Sequence, residues 1–191
     1  MKNNRRKWWI ITDTHFGHDR IIQLSHRPEN YNELIFKSWQ NNVEPDDWVI
    51  HLGDVTWPRY YDKIKELPGH KILCRGNHDQ KSYTWFQEHG FDVVCEEFTM
   101  KYDGLNIVFS HQPLIFHDKD INIHGHLHNM VHRNYSDFTN PDGGEVSPLF
   151  CISLEMLGYQ VFSLDYILKL AKKELVKNNT MDLNLEVGED N

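Results

Sequence analysis

Short apolar runs alternate with amphipathic stretches along the first half of this chain. Three apolar runs predict buried strands, over 8–12, 48–52 and 71–74. Three stretches with apolar residues at helical spacing predict helices, from 19 toward 28, over 32–43 and over 60–67. Because strands alternate with helices in this way, the pattern predicts an α/β fold.

The second half is richer in strand signals. Four further runs predict strands, over 98–102, 105–110, 121–124 and 149–153. The Asp103-Gly104 pair predicts a hairpin turn between the first two. The polar stretch 129–148 predicts a long surface loop able to act as a lid, and Ser163 predicts the cap of a last helix over 166–177. We therefore expect a single domain over 1–178, followed by a polar, flexible tail over 179–191.

Composition narrows the class of protein. The 191 residues fit one compact domain, and a formal net charge of −8 disfavours a stable complex with nucleic acid. The apolar runs are much shorter than the roughly 18 residues of a membrane helix, so we expect no membrane contact. Three cysteines do not make a disulfide framework, which favours a cytoplasmic protein. The unusual feature is the presence of 13 histidines.

Nine polar residues follow predicted strands in short blocks. They are Asp13, His15, Asp54, Asn77, His78, Asp79, His111, His126 and His128. In open α/β sheets, ligand sites gather at the carboxyl ends of strands, so these side chains are expected to meet.

The residue types in these blocks favour a transition-metal site. Neutral imidazoles mixed with carboxylates and one amide oxygen suit Mn²⁺, Fe²⁺, Ni²⁺ or Zn²⁺ and suit Ca²⁺ poorly. Each pair spaced one residue apart, Asp13-x-His15 and His126-x-His128, can share one metal or straddle two. Seven candidate ligands exceed the needs of one tetrahedral ion and suit two ions joined by a bridging carboxylate.

The same blocks, in this order, resemble the calcineurin-like metallophosphoesterase superfamily. The motifs are Asp13-Thr14-His15, Gly53-Asp54, Gly76-Asn77-His78-Asp79, Ser110-His111 and Gly125-His126-Leu127-His128. The later stretch 153–164 is similar to a subgroup of small bacterial and phage phosphoesterases without a cap domain. Cys151 departs from that subgroup, which often has Asn at this position.

The resemblance implies an α/β/β/α sandwich, in which two mixed β-sheets are flanked by helices. It also implies a ligand set for each of two divalent metals, with Mn²⁺ the first choice and Fe, Ni or Zn the alternatives. Asp13, His15 and His128 would hold one metal, Asn77, His111 and His126 would hold the other, and Asp54 would bridge them.

The resemblance further implies a catalytic role for His78. This imidazole would stabilise the phosphoryl oxygens or protonate the leaving oxygen, and Asp79 would orient it. The implied reaction is hydrolysis of a phosphate ester by in-line attack of a hydroxide shared by the metals.

Several functions remain open at this point. Because no cap domain is inserted, we expect an open pocket and hence a phosphodiesterase or a nucleotide phosphatase. The alternatives are a phosphomonoesterase acting on a small molecule, and a metal-binding scaffold without turnover.

Three residues near the blocks have two interpretations each. His18 either caps a helix or reaches substrate, and Arg75 forms either a surface salt bridge or a phosphate contact. Glu155 either hydrogen-bonds a metal-binding histidine or faces solvent.

Overall fold

The computed structural model describes residues 6–56, 60–129 and 147–173. Its first sheet contains β1 (Trp8–Ile11), β2 (Trp48–His51), β3 (His70–Cys74), β4 (Val93–Cys95) and β9 (Phe162–Ser163). The strand order is β4-β3-β2-β1-β9. The first four strands run parallel, and β9 pairs with β1 in the antiparallel direction.

The second sheet contains β5 (Glu97–Tyr102), β6 (Leu105–Ser110), β7 (Ile121–His124) and β8 (Leu149–Cys151), in that order. β5 and β6 form an antiparallel hairpin, and β7 and β8 continue the sheet in parallel. At the hairpin turn Asp103 and Gly104 have φ of 47° and 82°. Positive φ at both central residues is what a tight turn of this kind requires, so the predicted hairpin is confirmed.

Four helices share an apolar core with one face of the first sheet. They are α1 (Asp19–Leu24), α2 (Tyr31–Asn42), α3 (Tyr61–Glu66) and α4 (Tyr83–Glu88). In α2, Ile35 and Trp39 are fully buried because their spacing of four residues places them on one side of the helix. A short helix, α5 (Leu154–Leu157), precedes β9, and residues 164–173 are helical.

A second apolar core lies between the two sheets. Alternate residues of β1 divide between the cores: Trp9 and Ile11 pack with the helices, whereas Ile10 packs with residues of the second sheet such as Phe109 and Ile123. The helical segment 164–173 adds its apolar residues to this second core. The predicted α/β sandwich of two mixed sheets flanked by helices is therefore confirmed.

The sequence located most of these elements but missed four. The missed elements are α4, β4, α5 and β9, none longer than six residues. The last helix begins at 164, two residues earlier than predicted, and the Ser163 Oγ accepts the Tyr166 N–H at 3.3 Å, as its predicted capping role requires.

Other predictions fall on residues that the structure does not describe. The lid predicted within 129–148 lies largely there, as does the tail predicted over 179–191. The extent of the single domain, 1–178, also stays a prediction. Within the described ranges, every helix is too short or too polar to cross a membrane.

Candidate metal centre

The predicted blocks converge where strands of both sheets end. The loop after β1 is tied to the loop after β2, because the Asp13 N–H donates to Gly53 O and the His15 N–H to Asp54 O, each at 3.0 Å. In the second sheet, the Gly125 N–H donates to His111 O at 3.0 Å. The carboxyl ends of neighbouring strands therefore bring residues more than a hundred positions apart into one cluster.

The backbone of this cluster is strained. Five of the seven predicted metal ligands have left-handed φ: Asp13 48°, His15 44°, Asp54 54°, His126 70° and His128 49°. Such conformations cost non-glycine residues about 1–3 kcal/mol each and persist only where surrounding contacts fix them. Their concentration in one cluster marks a functional site.

Asp54 lies at the centre of the cluster. Its Oδ1 accepts the His78 N–H at 2.9 Å. Its Oδ2 lies 3.5 Å from both His15 Nε2 and His111 Nε2. One carboxylate oxygen of Asp54 thus faces imidazoles from two sides.

A first group of polar atoms surrounds Asp13. The Asp13 Oδ2 accepts hydrogen bonds from Thr12 Oγ1 at 2.5 Å and from the His126 N–H at 2.9 Å. Its Oδ1 lies 3.8 Å from His128 Nε2, and His15 completes a group whose ligand atoms all lie within 4.8 Å of one another.

Two buried atoms of this group have no hydrogen-bond partner among the described residues. Asp13 Oδ1 and His15 Nε2 make no hydrogen bond within the described part of the chain. Leaving buried polar atoms unpaired is costly. A divalent cation placed among these atoms would satisfy both, so the residues fit a metal.

A second group surrounds His111. Its Nδ1–H donates to Leu52 O at 2.8 Å, so the Nε2 carries the lone pair. This nitrogen lies 2.9 Å from Asn77 Oδ1 and 3.0 Å from His126 Nδ1. A proton on His126 would satisfy one of these contacts, whereas a cation would satisfy all of them. The donor set suits a borderline transition metal.

The electrostatics of the cluster favour the neutral form of His15 and His126 but not of His128. Burial, with the Arg27 and His128 charges, holds the pKa of His15 far below its usual range. Burial, with His111, also lowers the pKa of His126. Burial alone would lower the pKa of His128, but its hydrogen bond to Glu155 and the Asp13 charge raise it overall. Neutral imidazoles offer the lone pairs that a metal requires.

His78 stands over the cluster rather than within it. Its side chain is 52% exposed, and its Nε2 lies 3.9 Å from Asp54 Oδ2. The ring packs edge-on against His15, with centroids 5.6 Å apart. This half-exposed position allows contact with a molecule that arrives from solvent.

Asp79 contacts the loops and not the His78 ring. Its Oδ2 accepts the N–H groups of Asp54 at 2.7 Å and Gly76 at 2.9 Å, and its Oδ1 accepts that of Val55 at 3.1 Å. The described hydrogen bonds of Asp79 thus hold the Asp54 loop in place, which differs from the expectation that this carboxylate orients His78.

Two glycines allow the blocks to approach closely. A Cβ at Gly76 would overlap the Asp54 carboxylate, and a Cβ at Gly125 would overlap the Thr12 hydroxyl and the Asp13 carboxylate. Both positions therefore require glycine for space rather than for positive φ.

The structure separates the two interpretations of Glu155 and of Arg75. Glu155 Oε1 accepts from His128 Nδ1 at 3.0 Å, so Glu155 contacts a candidate ligand. Arg75 pairs with Glu96 at 2.8 Å near the surface, as a salt bridge would. His18 is the N-cap residue of α1 without a side-chain cap, and it lines a cavity of about 430 Å³ together with His78.

Sequence reasoning missed two buried side chains that hold the cluster. Arg27 donates to Asp13 O at 2.7 Å and to Thr14 O at 3.1 Å. His51 accepts the Gly53 N–H at 3.1 Å through Nδ1 and contacts Thr14 Oγ1 at 2.9 Å through Nε2. Arg27 precedes a proline and His51 ends a strand, and neither belongs to a motif that would have marked it.

The α/β sandwich, with Asp, Asn and His side chains brought together at its strand ends, is the architecture expected of a metal-dependent phosphoesterase. The calcineurin-like phosphoesterase family model matches residues 6–171. The chain therefore belongs to the calcineurin-like phosphoesterase family, whose members act on phosphate esters with divalent metal ions.

Individual relatives extend the comparison. An uncharacterized protein of Methanocaldococcus jannaschii is 32% identical over 190 residues, covering 93% of this chain and 98% of that protein. The gene 66 protein of Mycobacterium phage L5 is 34% identical over 80 residues, covering 37% of this chain and 39% of that protein. A solved structure from Aquifex aeolicus, of unknown function, has a TM-score of 0.67 at 26% identity and covers 87% of this chain and 100% of its own.

Proposed function

We propose that this protein is a two-metal phosphohydrolase that acts on phosphodiesters or nucleotides. The observation that supports the proposal best is the position of Asp54, whose Oδ2 lies 3.5 Å from both His15 and His111. One carboxylate oxygen between two ligand groups suits a pair of ions better than a single ion.

The ligand groups divide between the two ions. Asp13, His15 and His128 would hold one ion, Asn77, His111 and His126 the other, and Asp54 would bridge both. Bound there, divalent ions would supply Lewis acidity toward phosphoryl oxygens and would activate a water for in-line attack at phosphorus. The nitrogen-rich donor set favours Mn²⁺, with Fe²⁺, Ni²⁺ and Zn²⁺ as alternatives.

His78 would act on the substrate directly. Its ring is half-exposed and stands beside Asp54, where it can donate a hydrogen bond to a phosphoryl oxygen or a proton to the leaving oxygen. Asp79 would serve catalysis through the backbone, since its carboxylate holds the loop that carries Asp54.

The surroundings of the cluster favour an extended substrate. One cavity, of about 430 Å³, is lined by His18 and His78. A second, of about 280 Å³, is lined by Asn77 and His111. A diester has a substituent on each side of its phosphorus and can place one toward each cavity, whereas a small monoester would use only one.

Hydrolysis of bis(p-nitrophenyl) phosphate in the presence of Mn²⁺ tests the proposal. We expect turnover by the wild-type protein and a loss of about 100-fold or more in kcat for His78→Ala, with Mn²⁺ affinity retained. The matched control is His117→Ala, since His117 lies outside the cluster. Equal rates for wild type and His78→Ala would contradict the catalytic role.

A metal-replete panel of nucleotide mono- and diesters then separates the alternatives. Preferential release of phosphate from monoesters would make the protein a phosphomonoesterase. Binding of two ions with no turnover of any panel member would favour the scaffold function and overturn the proposal.

A further inference from the structure

Arg27 is a buried cation beside the candidate metal centre. Its side chain has no exposed surface, and the guanidinium stacks over Tyr31 with 5.1 Å between the guanidinium carbon and the ring centroid. Burying an arginine is costly unless its donors find partners. The partners of this arginine therefore indicate what it does.

The guanidinium holds the backbone of the Asp13-Thr14-His15 motif. One terminal nitrogen donates to Asp13 O at 2.7 Å, and the other donates to Thr14 O at 3.1 Å. Asp13 has left-handed φ, and the carbonyl orientations that this conformation requires are fixed by the two bonds. A planar fork of donors fits two adjacent carbonyls, which a single ammonium group does not.

The same guanidinium is joined to His128 through Glu155. Arg27 Nε donates to Glu155 Oε1 at 2.8 Å, and the His128 Nδ1–H donates to that same oxygen at 3.0 Å. Ser153 Oγ donates to the other carboxylate oxygen at 2.8 Å. Because Nδ1 of His128 is engaged in this way, its Nε2 is left to face Asp13 Oδ1.

Glu155 also balances charge. A buried arginine near a cation site repels the incoming ion, and the neighbouring carboxylate cancels that repulsion. Both carboxylate oxygens are occupied by donors from Arg27, His128 and Ser153, so Glu155 is placed to support the ligands and not to bind the metal itself.

We propose that Arg27 and Glu155 form a positioning pair that prepares one of the two metal sites, the site of Asp13, His15 and His128. This inference rests on the proposed two-metal function and adds two residues that act through the ligands. At the other site, His111 is oriented differently: its Nδ1–H donates to Leu52 O, and the described hydrogen bonds of His111 do not involve the pair.

The test measures metal binding separately at the two sites. Mn²⁺ titration, with free Mn²⁺ and the spin-coupled pair both followed by electron paramagnetic resonance, gives the two affinities. For Glu155→Gln we expect about 10- to 100-fold weaker binding at one site, loss of the spin-coupled signal and retention of one tightly bound ion. For Arg27→Lys we expect the same pattern. A lysine ammonium keeps the positive charge but lacks the planar pair of donors that contacts the two carbonyls.

A double-mutant cycle distinguishes positioning from general stability. If the residues act as one unit, Arg27→Gln combined with Glu155→Gln weakens binding about as much as either change alone. Lys172→Gln is the matched control, because Lys172 pairs with Asp103 at 2.6 Å on an exposed surface. The control is expected to bind both ions as wild type does.

Three results would overturn the inference. One is unchanged affinity at both sites in Glu155→Gln, and another is equal weakening at both sites. The third is additivity in the double-mutant cycle, in which the double variant loses as much binding free energy as the two single variants together. Circular dichroism of each metal-free variant checks that it folds. If Arg27→Gln fails to fold, Glu155→Gln still tests the inference, because glutamine has the same size as the buried glutamate.

The outcome is separable from that of the proposed function. Wild-type protein that binds two ions but hydrolyses nothing would contradict the proposed hydrolysis and leave the positioning pair intact. Wild-type protein that hydrolyses esters, with a Glu155→Gln variant that binds both ions normally, would contradict the positioning pair alone.

Discussion

At the scale of single residues, the metal centre depends on side chains that fix a strained backbone. The carbonyl groups of three consecutive residues, 13–15, are each held by a buried donor. Two of these bonds come from Arg27 and the third from the hydroxyl of Tyr31. The sequence motif marks the ligands of this segment, but it contains no sign of the donors, because backbone carbonyls accept from any suitably placed residue.

Tyr31→Phe tests the third bond. The Tyr31 hydroxyl is buried and donates to His15 O at 2.6 Å, and the same carbonyl also accepts the His18 N–H at 3.0 Å. The Phe variant therefore loses one of two hydrogen bonds to this carbonyl, and we expect a loss of about 1 kcal/mol in the free energy of unfolding, measured by urea denaturation. Tyr83→Phe is the control, since the Tyr83 hydroxyl contacts Glu96 at the surface and its loss is expected to cost under about 0.5 kcal/mol. Equal losses in the two variants would contradict the expectation.

Asp47 provides a pH-dependent contribution far from the metal cluster. Burial acts to raise the pKa of Asp47, but hydrogen bonds from the Trp9 indole and from the Lys7 and Glu44 N–H groups outweigh it and lower the pKa. A lowered folded pKa stabilises the fold above the unfolded value of about 3.9. That stabilisation is lost as the pH falls through the folded value.

Asp47→Asn is therefore expected to reduce stability at neutral pH and to weaken the dependence of stability on pH in the acid range. We expect the unfolding free energy of the variant to be about 1–3 kcal/mol below that of the wild type at neutral pH. The difference should shrink as the pH is lowered to about 2. The control is Asp62→Asn, because Asp62 is exposed, and it should change the unfolding free energy by less than about 0.5 kcal/mol at any pH. A constant difference at every pH would show that ionisation of Asp47 is not involved.

At the scale of elements, the strongly apolar strands were predictable, whereas β4 and β9, which are short and only partly buried, were not. β6, with four consecutive fully buried residues, carries a clear apolar signal. β4 is an edge strand of three residues with partial exposure, and α4 buries only Phe86, so neither has enough apolar residues to show a period. β4 forms because β3 offers it an edge to pair with, and α4 forms because Phe86 packs into the core, and both are tertiary effects.

The close approach of loops at Gly125 makes a sharp prediction at this scale. Gly125→Ala would push the Asp13 carboxylate out of the cluster, because the new Cβ overlaps it. We expect loss of at least one bound Mn²⁺ per chain, measured by equilibrium dialysis. Gly104→Ala is the control: Gly104 has φ of 82° but open space around it, so alanine should cost about 1 kcal/mol of stability and no metal. Full metal occupancy in Gly125→Ala would contradict the packing argument.

At the scale of the whole molecule, the centre draws on both sheets. The ordered motifs were sufficient to predict which residues would meet, since the fold brings strand ends together. Of the network that supports them, the contact of Glu155 with a histidine was one of two open interpretations. Arg27 and His51 could not be predicted, because hydrogen bonds to backbone groups leave no pattern of residue types in the sequence.

Metal removal should therefore affect the stability of the entire fold. An ion that binds the folded state at about 100 times its Kd adds about 2.7 kcal/mol. We expect chelation by EDTA to lower the melting temperature and Mn²⁺ to restore it, measured by differential scanning calorimetry. Ca²⁺ is the control ion and should restore little, because nitrogen ligands dominate. A melting temperature insensitive to EDTA and Mn²⁺ would contradict metal binding at the cluster.

The division of the ligands between the sheets has a consequence for assembly. Asp13, His15, Asp54 and Asn77 follow strands of the first sheet, whereas His111, His126 and His128 follow strands of the second. Under the proposed assignment, neither sheet alone supplies the complete ligand set of either ion. Cation binding would then be thermodynamically linked to docking of the two sheets, and a bound ion would stabilise the docked arrangement.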